Sequence, residues 1–125
     1  MGQMDAETFE RLVEEAWDAL PESFRAQLDN VEVIVEEWPD AETLRLAKVR
    51  HPSQLLGFYH GVPLTERTRG YHMVTPDRIS LYRQPILLNC RTDDDVRNLV
   101  PHVLRHEIAH HFGISDARLH ELGAY

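Results

Sequence analysis

The stretch His106-Glu107-Ile108-Ala109-His110-His111-Phe112-Gly113-Ile114-Ser115-Asp116 crowds metal-binding and acid/base side chains together. On a helix, His106 and His110 stand one turn apart on one face. Two imidazole nitrogens so placed can meet a single Zn²⁺ at about 2.0–2.1 Å. Glu107 is rotated about 100° around the axis from His106, which does not favour it as a ligand beside that pair. It does reach a water held by the metal, where a general base is needed. Gly113 suits a left-handed helix end, after which the chain can double back. Asp116 then brings a carboxylate as third ligand, and one position stays open for water. The expected site is therefore zinc on His106, His110 and Asp116, with Glu107 as catalytic base and His120 as a reserve third ligand. HExxH alone is a modest signal; Gly113 and Asp116 at fixed offsets make the composite specific.

These residues need a helix to carry them. Thr92-Asp93-Asp94-Asp95 offers a cap followed by acids in the first turn, and a helical pattern runs from there to Phe112. Taking His106 as 0°, Val96, Leu99, Val100, Val103 and Leu104 fall on an arc from about 20° to 160°. Glu107 lies inside that apolar arc, where an unpartnered carboxylate is costly, so it needs a partner or a task. Pro101 must kink or restart the helix. Ahead of it, Phe9, Leu12, Val13, Ala16, Trp17 and Leu20 recur at helical spacing. Pro21 opens a short helix over 21–29. Val31–Val35 reads as a strand, and 41–49 as a helix capped by Asp40. Leu55–Tyr59 reads as a strand weakened at Gly57, 60–70 as a loop and 71–74 as a short strand. Arg78–Tyr82 alternates as a strand, and Pro85 places it at a sheet edge. A last short helix is expected over 116–122. The expected class is α+β.

Length and composition bound the rest. One domain over 1–125 is expected from 125 residues. With 13 Lys+Arg against 21 Asp+Glu the net charge is −8, which argues against broad binding to a phosphate backbone, so no nucleic-acid partner is expected. No apolar run exceeds three residues and no basic-then-apolar leader is visible, so neither a membrane partner nor secretion is expected, and the location is read as cytoplasmic. The single Cys90 excludes an internal disulfide framework. It reads as a buried thiol, with a latency cysteine that blocks the zinc as the alternative. His102 and His111 read as solvated, packing or supporting residues. Tyr59, His60, Tyr71 and His72 match no metal-ligand spacing. Tyr71, Tyr82, Tyr125 and His120 are candidate oxyanion donors.

The HEIAHHFGISD run, with Arg118-Leu119 and Glu121-Leu122-Gly123 behind it and Pro76-Asp77-Arg78-Ile79-Ser80-Leu81-Tyr82-Arg83 ahead, resembles a small bacterial family of zincin-like metallopeptidases related to the metzincins. The resemblance covers Val31 to Tyr125. It implies a minimal catalytic domain: a small mixed sheet with an edge strand over the cleft, packed by an active-site helix. It further implies zinc on His106, His110 and Asp116, with Glu107 as catalytic acid/base and a peptide or protein as substrate. Metzincins carry a methionine turn after the third ligand, and no Met follows Asp116 here. A partner or second subunit completing the cleft is the corresponding expectation. A strand near Ile79–Arg83 is expected to hold an extended peptide. Two other functions fit the same residues: a zinc-dependent hydrolase of another bond, such as RNA, and a non-catalytic zinc-stabilised interaction module.

Overall fold

Helix α1 (Ala6–Asp18) begins where Asp5 accepts a hydrogen bond from the Thr8 backbone N–H at 2.7 Å, and it buries Phe9, Val13 and Ala16 on one face. The computed structural model describes residues 3–28, 30–61 and 77–113. Helix α2 is a single turn, Glu22–Arg25, shorter than the expected 21–29. Tight turns at Gln27 and Leu28 end it and carry Leu28 into the core. Strand β1 (Val31–Glu36) follows, then α3 (Ala41–Ala47), capped by Asp40, which accepts from Thr43 N–H at 2.7 Å. Lys48, at φ 60°, terminates α3. A 3₁₀ turn over Pro52–Gln54 leads into β2 (Gly57–His60). The loop over 60–70 and the strand at 71–74 fall almost wholly outside the described residues, as does the helix at 116–122.

Strand β3 (Asp77–Tyr82) lies in the middle of a three-stranded mixed sheet of order β1-β3-β2. It runs parallel to β1, from Val31 opposite Asp77 to Glu36 opposite Tyr82, and antiparallel to β2, from Gly57 opposite Leu81 to His60 opposite Arg78. The expected edge position is thus overturned. Pro85 does not limit pairing because the strand has already ended at Tyr82. The proline belongs to the first turn of α4 (Arg83–Leu88), where a missing N–H costs no helical bond. Among the described strands, β1 and β2 are the edges.

Helix α5 (Asp93–His111) is held at its start by a reciprocal cap. Thr92 Oγ1 accepts from Asp95 N–H at 3.2 Å, and Asp95 accepts from the N–H groups of Thr92 and Arg91 at 3.2 and 2.9 Å. The helix runs on through Pro101, giving up only the bond to the Arg97 carbonyl. Its apolar stripe, Val96, Val100, Val103, Leu104 and Ile108, packs with Ile79 and Leu81 of β3 and with Phe9 and Val13 of α1. The class is α+β, with one long helix laid across a small mixed sheet.

Candidate metal centre

The last turns of α5 bring His106, Glu107 and His110 together. One ligand-capable atom from each lies within 4.8 Å of the other two. The two imidazole rings are 4.8 Å apart between centroids, as the one-turn spacing requires. Both histidines are half-buried, whereas Glu107 is 6 % exposed. Its Oε1 stands 3.2 Å from His110 Nδ1. His106 and His110 would supply two nitrogen donors to a divalent cation, with the Glu107 carboxylate standing beside that pair. The negative end of the helix dipole lies at this same terminus and favours a cation there. Asp116, the expected third ligand, and His120, its reserve, lie outside the described residues.

A cleft of about 380 Å³ opens beside this cluster. One wall is the segment Gln54–Gly57, leading into β2; the other is the α5 face carrying Leu99, His102, Val103, His106 and Glu107. His102, read from sequence as solvated or supporting, therefore lines the same cleft as the candidate base. Gly57 is what lets the two walls approach. A Cβ there would come within 2.9 Å of Val103 Cγ1 and 3.1 Å of the Ser80 carbonyl oxygen. A roomier cleft, about 590 Å³, lies between α1 and β1. Its ionisable lining residues are Glu14 and Asp18, with no histidine or cysteine, so it lacks the imidazole donors that line the smaller cleft.

Behind the cluster lies a buried polar group that sequence spacing did not foresee. The Asp77 carboxylate accepts from the Tyr59 hydroxyl at 2.5 Å and from His111 Nδ1 at 2.9 Å. The Tyr59 and His111 rings meet edge to face, 5.7 Å apart. Asp77 and His111 are each 3 % exposed. These residues are separated by 18, 34 and 52 positions, so no local period links them. One signal was present: Asp77 is the second residue of the Pro76–Arg83 run on which the family resemblance partly rests.

Other candidates are displaced. The Tyr82 side chain is fully buried on the same face of β3 as Ser80, and burial pushes its pKa upward. That is the sheet face opposite to Ile79 and Leu81, away from α5, so Tyr82 cannot serve as the oxyanion donor. Tyr71, Tyr125 and His120 lie outside the described residues. Cys90 is buried, and burial raises its pKa and keeps it a thiol. It precedes the first turn of α5, while His106 lies 13 residues along that helix, roughly 20 Å away at the helical rise. A cysteine that blocks the metal is therefore excluded. His60, on β2, has its pKa lowered by partial burial and then by the Arg78 guanidinium.

No curated protein matches the chain. Among solved structures, a conserved hypothetical protein from Thermo thermophilus is similar at 26% identity and a TM-score of 0.52, covering 95% of this chain and 97% of that one. A family model described as zincin-like metallopeptidase matches residues 28–124, a span that holds the whole sheet, α5 and the histidine cluster. The chain belongs to the zincin-like metallopeptidase family.

Proposed function

We propose that this protein is a zinc-dependent peptidase whose metal is held by His106, His110 and Asp116 and whose catalytic acid/base is Glu107. The observation that carries the reading is the convergence of His106, Glu107 and His110 within 4.8 Å on one wall of a cleft, at the C-terminal end of a long helix. When bound, zinc would polarise the scissile carbonyl and lower the pKa of the attacking water. Glu107 takes the proton from that water and returns it to the leaving amine. Its side chain is almost wholly screened from bulk water.

An extended peptide would be held along β2 rather than β3, because β3 is paired on both sides. The segment leading into β2 lines the cleft, so a strand added at this edge would run past Glu107.

Glu107→Gln tests the assignment. The variant should keep its zinc, and hydrolysis of a peptide library should fall by at least about 100-fold. Cleavage at the wild-type rate would remove Glu107 from the reaction. A structured RNA in parallel separates the rivals: cleavage of RNA and not peptide would make this a hydrolase of another bond. Zinc uptake with neither activity would make it a zinc-stabilised interaction module.

A further inference from the structure

We propose that Asp77 is a positioning residue for the metal centre, locking the last turn of α5 in rotation through His111 so that His106 and His110 present their imidazoles together. The proposal rests on the zinc reading given above. Asp77 opens β3, and its backbone N–H donates to the Asn30 carbonyl at 3.1 Å, which fixes the residue beside the start of β1. Its side chain points to the helix and holds His111 Nδ1–H at 2.9 Å. Tyr59 of β2 donates to the same oxygen at 2.5 Å, so both strands nearest the helix end join one carboxylate. The chain also closes tightly over it: a Cβ on Gly61 would come 2.5 Å from Asp77 Oδ1 and 2.9 Å from the Tyr59 hydroxyl.

Geometry gives this cluster its leverage. His111 is one residue after His110 and one turn after Glu107, on the same buried stripe. Fixing the azimuth of His111 fixes that of the whole turn. Helix ends fray, and this one is followed by Gly113 at φ 78°. An apolar side chain at position 111 would pack without setting a direction. A buried carboxylate with two directional donors sets one, and it is costly to bury unless so satisfied.

The test compares Asp77→Asn and Tyr59→Phe with Val96→Ala, a core substitution in the first turns of α5. Zinc affinity is measured by competition with a chromophoric chelator, metal geometry by the visible spectrum of the cobalt(II) form, and stability by melting of the metal-free protein. Both cluster variants should lose zinc affinity on the order of 10-fold and shift the cobalt spectrum. Val96→Ala should lower metal-free melting while leaving affinity and spectrum as in wild type. Tyr59→Phe removes one hydroxyl only and carries the test if Asp77→Asn does not fold. Wild-type affinity and spectrum in the cluster variants, or an equal loss in Val96→Ala, would overturn the proposal. A wild type that takes up no zinc would overturn the metal reading and this proposal with it. Wild-type uptake with unaltered variants would overturn this proposal alone.

Discussion

Glu107 occupies a helix face that it shares with Val100, Val103 and Leu104, all buried. A carboxylate in such company must be hydrogen-bonded, paired or employed. In this structure it lies 3.2 Å from His110, beside the histidine pair that could hold a cation. The motif was legible because its parts are local: one helical turn brings the two histidines together whatever the rest of the fold does. The Tyr59–Asp77–His111 cluster was not, because only tertiary structure brings those positions into contact. Removing a proposed ligand should therefore act on metal and stability together, since binding to the folded state alone stabilises it. His106→Ala should abolish the rise in melting temperature that saturating zinc gives the wild type. At free zinc 100 times the wild-type Kd, that rise corresponds to about 2.7 kcal/mol. A full zinc response in the variant, measured by differential scanning calorimetry, would exclude His106 as a ligand.

Among the elements, α1 was readable from its periodicity, β1 from its β-branched run, α3 from its cap, and α5 from its cap and helical pattern. Asp5, Asp40 and Thr92 each make the cap bond that their residue type favours. The order of strands was not readable. Alternation over Arg78–Tyr82 looks the same at an edge as at the centre, and only the long-range partners Val31–Glu36 and Gly57–His60 decide it. Helix α4 was hidden because Pro85 was read as a strand breaker rather than a first-turn residue. The approach of α5 to β2 depends on Gly57. Gly57→Ala should destabilise the protein by about 1–3 kcal/mol, and Val103→Ala in the same chain should recover part of the loss. Urea unfolding of the two singles and the double checks this; additive losses would show that the contact does not limit the packing.

The cap of α5 also predicts a pH dependence. Hydrogen bonds from the Arg91 and Thr92 N–H groups hold the Asp95 carboxyl below its ordinary value of 3.8. A carboxyl whose pKa is depressed on folding contributes stability that is present above its unfolded pKa and is lost as pH falls through the folded one. Asp95→Asn should therefore flatten the fall in melting temperature below about pH 4 while lowering stability at neutral pH. An acid limb as steep as that of wild type would show that this cap carries none of the dependence.

For the whole molecule, the arrangement puts a long helix against a small sheet, with the cleft at the junction of α5 and the lead into β2. No helix among the described residues is long and apolar enough to cross a membrane. The class and the family could be read from the residue pattern and agree with the fold and the family match. The clearance that lets β2 meet α5 could not, because it is a property of packed surfaces and not of any segment. If the proposed zinc also helps hold the fold together, a chelator should lower the melting temperature and added zinc should restore it. Melting that ignores both additions would separate the fold from the metal. The most direct measurement is anomalous scattering at the zinc edge from crystals of the zinc-loaded protein. The account predicts one zinc per chain, with nitrogen atoms of His106 and His110 at about 2.0–2.1 Å, a carboxylate oxygen of Asp116 as third ligand and Glu107 outside the ligand set. Zinc absent from the histidine pair, or bound with Glu107 in place of Asp116, would contradict it.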